Sequence, residues 1–293
     1  MKTFFRFIQE QLQDYYPDSE IKSFCYLILE SVCKMDKASV LRHKDKQLSL
    51  NDHFLIQEIV EELKKQRPIQ YILGEIEFYG LTLTVDENVL IPRPETEEMV
   101  ELIVKGETPP PYPLHKRGRK YKLLDIGTGS GCIAVALAKH LPESEVFALD
   151  ISEKALAVAR KNAIENQVNV HFFSHDILTE EALPLPFSSV FFDCIVSNPP
   201  YITSEEKPSM AKNVLDYEPH QALFVPAGDN PLIFYERIAD FAGSRLKKGG
   251  SLYLETSSLH GRASVKIFED RKFRSVVLLK DISGNDRIII AKL

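Results

Sequence analysis

The stretch from Lys122 to Asp150 limits the possible folds more than any other. Lys122-Leu123-Leu124-Asp125-Ile126 reads as a buried strand. The loop Gly127-Thr128-Gly129-Ser130-Gly131 follows, and the Ala- and Val-rich run from Cys132 to Leu141 reads as a helix. Glu145 to Asp150 reads as the next strand. Strand, helix and strand in this order make a βαβ unit, which implies a parallel sheet. Glycines let the loop turn tightly and let a ligand approach the backbone. Asp150 lies 19 residues beyond Gly131, at the tip of the second strand, where a carboxylate can accept hydrogen bonds from both hydroxyls of a ribose. The loop is Gly-x-Gly-x-Gly, not the Gly-x-Gly-x-x-Gly of a dinucleotide site. That compact form suits a nucleoside with no pyrophosphate to cradle, and S-adenosylmethionine is the obvious case.

The pattern continues. A helix is expected from Ser152 to Ala163 and a strand from Val168 to Phe173. His175-Asp176-Ile177 lies at that strand's end, where Asp176 either receives an adenine amino group or caps a turn, and Ile177 can cover the ring. A further strand, Phe191 to Val196, leads into Ser197-Asn198-Pro199-Pro200-Tyr201-Ile202. Two adjacent prolines stop the strand and fix φ at each position. Such a corner can hold Asn198 and Tyr201 in one orientation with little entropy left to lose. The loop, Asp150, Asp176 and Asn198 thus all fall beyond the carboxyl ends of successive strands, the edge at which open α/β sheets bind ligands.

The rest of the chain is arranged around this unit. Residues 1–74 read as a small helical domain, with apolar residues at helical spacing (Phe4, Phe5, Ile8, Leu12; Cys25, Leu27, Ile28, Leu29, Val32; Phe54, Ile56, Ile59, Val60, Leu63). It either packs only against itself or docks a partner. Asp18 and Ser19, and Asn51 and Asp52, are expected N-caps. Residues 75–89 read as a linking β-hairpin turning at Tyr79-Gly80, and residues 90–293 as the α/β domain. In Ile91-Pro92-Arg93-Pro94-Glu95-Thr96-Glu97, two prolines flank Arg93 and acids open a helix, complementing its dipole. Residues 106–122, with Pro109-Pro110-Pro111 and the basic Lys116, Arg117 and Arg119, read as a solvated connection, with a polyanion site as the alternative. Asp229 to Gly243 reads as a helix, Gly249-Gly250 as a turn, and Ser251 to Thr256, Val276 to Lys280 and Arg287 to Ala291 as strands, the last two an antiparallel pair.

Composition narrows the function. A net charge of -6 argues against broad nucleic-acid binding, which needs Lys and Arg to displace counterions. The four cysteines form no Cys-x-x-Cys pair, so no metal site and no disulfide framework is expected. The first residues lack the apolar core of a signal peptide, and no run approaches the roughly 18 apolar residues of a membrane span. A cytoplasmic location is expected.

Taken together, these residues resemble the protein-(glutamine-N5) methyltransferases that act on class I peptide-chain release factors. The resemblance runs from about residue 67 to the end. It rests on Pro68-x-Gln70-Tyr71, Leu90-Ile91-Pro92-Arg93-Pro94-Glu95-Thr96-Glu97, Asp125-x-Gly127-Thr128-Gly129-Ser130-Gly131, Asp150, Asn198-Pro199-Pro200-Tyr201, and Tyr217-Glu218-Pro219. Asn-Pro-Pro-Tyr alone is shared with adenine-N6 methyltransferases; the Ile-Pro-Arg-Pro-Glu-Thr-Glu segment is far more particular. At Glu255-Thr256-Ser257-Ser258-Leu259-His260-Gly261 the chain departs from the family's usual Glu-Ile-Gly-x-x-Gln-Gly, so that loop is given no role.

The resemblance implies a Rossmann-like class I S-adenosylmethionine-dependent methyltransferase domain behind a helical bundle. It implies methyl transfer to the amide nitrogen of a glutamine in a release factor, by a monomer that touches neither nucleic acid nor membrane. Asn198, Pro199 and Tyr201 are the expected catalytic residues, with Pro200 and Arg93 also on the substrate. Gly127, Thr128, Gly129, Ser130, Gly131, Asp150, Asp176, Ile177 and Asn198 are expected to hold the cofactor, released as S-adenosylhomocysteine. The rivals are an adenine-N6 methyltransferase, which would act on the same planar NH2, a nicotinamide dehydrogenase, whose glycine pattern differs, and a catalytically silent docking protein.

Overall fold

The computed structural model describes residues 1–43, 47–106, 120–179, 181–226, 228, 230–271 and 273–293. The basic residues Lys116, Arg117 and Arg119, and Asp229, lie outside the described residues. The chain divides into two compact units: residues 1–75 with 211–217, and residues 76–210 with 218–293.

The first unit is helical. It holds α1 (Lys2–Leu12), α2 (Asp18–Cys33), α3 (Lys37–Arg42), α4 (Leu50–Lys64) and α5 (Ile69–Leu73). Phe4, Ile8 and Leu12 of α1 share a core with Ile21, Phe24, Cys25, Ile28 and Leu29 of α2 and with Ile56, Val60 and Leu63 of α4. The helical period selects these positions, but it also selects Leu27 and Phe54, which are exposed at 39% and 61%. The caps differ from expectation. Helix α4 starts at Ser49, whose Oγ accepts the Asp52 N–H at 3.1 Å while Asp52 Oδ2 accepts the Ser49 N–H at 2.9 Å. Asp52 is therefore the reciprocal partner in a capping box rather than the cap. Helix α2 is capped by Pro17, and Asp18 is its first helical residue. The unit also includes the later segment 211–217, where the Tyr217 hydroxyl donates to the Lys65 carbonyl at 3.0 Å.

From Ile76 on, the hairpin of β1 (Glu75–Phe78) and β2 (Leu81–Thr84) belongs to the second unit. Tyr79 and Gly80 both take positive φ, 47° and 74°, and a two-residue turn of that hand matches the twist of paired strands. Helix α6 (Pro94–Lys105) follows. The seven-stranded sheet holds β3 (Lys122–Ile126), β4 (Glu145–Asp150), β5 (Val170–Ser174), β6 (Phe192–Ser197), β7 (Leu246–Glu255), β8 (Arg274–Lys280) and β9 (Asp286–Lys292). Their order is β5-β4-β3-β6-β7-β9-β8, and β9 runs antiparallel to both of its neighbours, β7 and β8. The crossovers between strands hold α7 (Cys132–His140) and α8 (Glu153–Glu165), and α9 (Lys212–Tyr217) is the inserted helix of the first unit. Helices α10 (His220–Leu223), α11 (Ile233–Arg245) and α12 (Gly261–Asp270) complete the chain.

Both faces of the sheet are buried. In β3, Leu123 joins the core with α6 and α7, and Leu124 joins the one with α11 and α12. In β6, Cys194 and Val196 face the first core, and Phe192 and Ile195 the second. Unbroken apolar runs are what two-sided burial demands. This is the Rossmann-like class expected from the sequence. Among the described residues no helix is long and apolar enough to cross a membrane.

Two local expectations fail. Gly249-Gly250 is not a turn between elements but lies within β7, where the pairing slips from Phe192–Leu246 to Cys194–Ser251. The extra residues bulge out, and Gly250 is needed there because a Cβ would lie 3.1 Å from the Asp193 carbonyl. Helix α12 was not foreseen; it buries Ile267 and Phe268 against the core, with Val265 packed beside them.

Asn162 of α8 ties the hairpin to the glycine loop. Fully buried, it accepts the Thr84 N–H at 2.7 Å and donates to the carbonyls of Thr84 at 2.9 Å and Ser130 at 2.8 Å. Asn162→Ala leaves three backbone groups without these partners, and we expect a loss of roughly 2–4 kcal/mol in urea unfolding. A loss below about 0.5 kcal/mol, the ordinary scale of surface changes, would contradict this role.

Candidate active site

The sheet reverses direction of winding at β3, which lies between β4 and β6. Crevices open at such points beyond the carboxyl ends of the strands. The residues there come from loops that the strand ends hold in register: Asp125 pairs with Ala148 and Val196, and Ile126 with Leu149 and Ser197.

The glycine loop is folded onto this edge. Gly127 and Thr128 both donate backbone N–H groups to the Leu149 carbonyl, each at 2.9 Å. Buried Asp125 accepts the Thr128 hydroxyl at 2.6 Å, and burial pushes its carboxyl up to about 7. Gly127, Gly129 and Gly131 have φ of 70°, 53° and 80°, where other residues are strained. Gly131 also meets helix α8 so closely that a Cβ would lie 2.9 Å from the Ala159 Cβ. By contrast, nothing lies within 4 Å of a Cβ added at Gly127 or Gly129. Those two positions are bare toward open space.

Asp150 stands across from the loop. Its Oδ2 accepts the Gly129 N–H at 2.8 Å and its Oδ1 the Ser152 N–H at 2.9 Å. Burial raises its pKa, opposed by those backbone donors. Each oxygen keeps a lone pair for a further donor. At the end of β5, Asp176 Oδ1 accepts the Leu178 N–H at 2.9 Å, the turn that the sequence left as an alternative, and Ile177 is buried.

One cavity of about 570 Å³ joins these groups. Its lining includes Gly127, Gly129, Asp150, Asp176, Ile177, Asn198 and Pro200. Thr128, Ser130 and Gly131 are not in the lining; the first two are buried, and Gly131 packs on α8. Pro199, Tyr201 and Arg93 are not in it either.

The corner after β6 is tied down from both sides. Ser197 donates its hydroxyl to the Ile126 carbonyl at 2.7 Å. Beyond the corner, the Ile202 N–H donates to the Leu223 carbonyl at 3.1 Å, and the Val225 N–H returns to the Ile202 carbonyl at 3.0 Å. Asn198 Nδ2 donates to Thr96 Oγ1 at 3.2 Å, and Thr96 donates to Glu255 Oε2 at 2.7 Å. The Tyr201 hydroxyl lies 3.5 Å from Glu255 Oε1. Burial raises the Tyr201 phenol and pushes the Glu255 carboxyl up to about 7. Arg93 pairs with the buried Glu218 at 2.5 Å, and the Ile91 N–H donates to the same carboxylate at 3.3 Å.

Thr96, Glu255, Glu218 and Asn162 escaped the reading of the sequence as site residues. Glu255 carried a signal, being a lone acid ending an apolar strand. Thr96 carried none beyond its place in the Pro-Arg-Pro-Glu-Thr-Glu segment.

A family described as the methyltransferase small domain matches residues 113–223, and one described as the PrmC N-terminal domain matches residues 4–74. The release factor glutamine methyltransferase of Flavobacterium psychrophilum is 45% identical over 284 residues, covering 97% of this chain and 95% of that one.

This chain belongs to the release factor glutamine methyltransferase family.

A second member, from Bacteroides thetaiotaomicron, is 44% identical over 285 residues and covers 97% of each chain. Among solved structures, a methyltransferase from Pyrococcus furiosus shares the fold, with a TM-score of 0.51 at 17% identity over 83% of this chain and 98% of that one. In this methyltransferase family member Gly131 is packed closely on α8. Gly131→Ala is expected to cost about 1–3 kcal/mol, from the positive φ and the overlap with Ala159 together. Unfolding by denaturant measures it, and an unchanged midpoint would mean that the contact relaxes freely.

Proposed function

We propose that this chain transfers a methyl group from S-adenosylmethionine to the side-chain amide nitrogen of the glutamine in the Gly-Gly-Gln motif of a class I release factor. The observation that carries the proposal is the single cavity lined by both the glycine loop and the Asn198 corner. A donor site and an acceptor site for one group transfer must open into one space.

The residues fit the cofactor. Bare glycine backbone at Gly127 and Gly129 leaves room for close approach, Asp150 suits a ribose, and Asp176 with Ile177 suits an adenine. Thr128, Ser130 and Gly131 then act by shaping the loop. When bound, S-adenosylmethionine supplies an electrophilic methyl group on sulfur and leaves as S-adenosylhomocysteine.

The chain's own task is the nucleophile. An amide nitrogen is poor at attack because its lone pair is delocalised into its carbonyl. The Asn198 side-chain oxygen and the Pro199 carbonyl each accept one hydrogen of the substrate NH2 group. Two acceptors fix the nitrogen and return electron density to it. Pro200 carries no N–H to compete for the Pro199 carbonyl. Tyr201 offers a flat face to the planar amide. Arg93, held by Glu218, shapes the substrate side. As the new N–C bond forms, the nitrogen becomes strongly acidic and loses its proton to water, so no dedicated base is required.

Residues 1–74 then serve in docking the release factor and residues 90–293 in the transfer, with 75–89 as the link. Every residue invoked belongs to one chain, so a monomer suffices. We take the location to be cytoplasmic, and the net charge of -6 speaks against a direct part for nucleic acid.

Asn198→Ala and Asn198→Asp should each lower turnover at least about 100-fold, the scale of losing one preorganised group, with cofactor affinity retained. Mass spectrometry of a release factor incubated with enzyme and cofactor reads this out by locating the added methyl. Wild-type turnover in either variant, or methyl transfer to DNA but not to the release factor, would overturn the assignment.

A further inference from the structure

The amide of Asn198 could face the substrate either way round, and only one way offers an acceptor. Its Nδ2 end lies 3.2 Å from Thr96 Oγ1. A threonine hydroxyl carries a single hydrogen. In Thr96 that hydrogen is committed to Glu255 Oε2, at 2.7 Å. Toward Asn198, Thr96 can therefore only accept. The NH2 end of Asn198 must turn to Thr96, which leaves the carbonyl end for the ligand. Both Thr96 and Glu255 are 2% exposed, so water cannot readily substitute for either partner. The sheet register sets this up. Ser197 of β6 pairs with Leu254 of β7, so Glu255 and Asn198 follow side by side at adjacent strand ends.

We propose that Glu255, acting through Thr96, is the positioning residue that orients the Asn198 amide with its acceptor oxygen toward the substrate NH2. The inference rests on the reading of Asn198 given above. It makes the ionised form of Glu255 the active one. A protonated Glu255 can donate to Thr96 instead. The Thr96 hydrogen is then released toward Asn198, the amide turns over, and an NH2 group meets an NH2 group.

Several groups face Glu255. Thr96 and Glu95 lie on α6, Tyr201 beyond β6, Arg287 on β9, Tyr235 on α11 and Cys132 on α7. Arg287 favours the carboxylate but is itself paired with Asp281 at 3.1 Å, and Glu95 opposes it. Burial outweighs them and pushes the carboxyl up to about 7. Turnover should therefore rise with pH across the neutral range, since the acceptor geometry appears as the proton leaves.

The test measures kcat, KM for a release factor, cofactor affinity and melting temperature for wild type, Thr96→Val, Thr96→Ser and Glu255→Gln. Thr96→Val is expected to lower kcat about 10- to 100-fold, the scale of a misplaced group, with KM and cofactor affinity little changed. Thr96→Ser, which keeps the hydroxyl, should restore most of that loss. Wild-type kcat should rise about tenfold between about pH 6 and about pH 8, and Glu255→Gln should be slow and lack the rise. Thr96→Val on top of Asn198→Ala should add little further loss, because both act on one acceptor. Wild-type kcat in Thr96→Val would overturn the proposal, as would Thr96→Ser as damaged as Thr96→Val. If Asn198→Ala is inactive while Thr96→Val is not, only this inference falls. If Asn198→Ala is active, the reading of the site falls with it.

Discussion

Burial of the parallel strands on both faces is the constraint from which the site follows. Strands β3, β4, β6 and β7 cannot carry polar side chains along their length without stranding them between two apolar layers. Most polar groups of these strands are therefore displaced to the carboxyl ends or into the loops just beyond. Asp125, Asp150, Ser197 and Glu255 stand in the last two positions of β3, β4, β6 and β7. Asp193 of β6 is an exception that supports the rule. It lies near the start of its strand, 8% exposed, and needs the Lys247 ammonium at 2.6 Å and the Lys122 N–H at 2.8 Å to be there.

Crowding polar groups at one edge shifts their protonation. Asp125 and Glu255 are both pushed up to about 7, each mainly by burial, although hydroxyl donors oppose it. Their folded-state pKa values lie above those of the open chain, so the native state holds their protons more tightly. Their contribution to stability is present below the ordinary carboxylate range and is lost as pH rises toward 7. Ionised carboxylates at this edge thus come at a cost in stability, as expected where side chains are arranged for chemistry.

Local features were legible in the sequence where one residue type answers one backbone demand. Gly127, Gly129 and Gly131 take positive φ, and Tyr79-Gly80 makes the hairpin turn where Gly permits it. Parallel strands showed as apolar runs, and Asn198 stood out between an apolar strand and two prolines. What remained hidden depends on partners far apart in the chain. Thr96 meets Glu255 across 159 residues, and Ile91 meets Glu218 across 127. No local pattern marks such pairs. The slip at Gly249-Gly250 was misread because a bulge and a turn both ask for glycine, and only the neighbouring strand decides between them. Ser49 was passed over as a cap because Asn51 and Asp52, equally good cap formers, follow it at once.

The central claim is that a rigid corner presents two acceptors to one planar NH2 group. The measurement that bears on it most directly is a crystal structure with S-adenosylhomocysteine and a release-factor domain. The account predicts the glutamine nitrogen within hydrogen-bond distance of both the Asn198 side-chain oxygen and the Pro199 carbonyl, with Asn198 Nδ2 still on Thr96. A glutamine bound in the cavity with its nitrogen on other groups, or Asn198 turned with its NH2 toward it, would contradict the account.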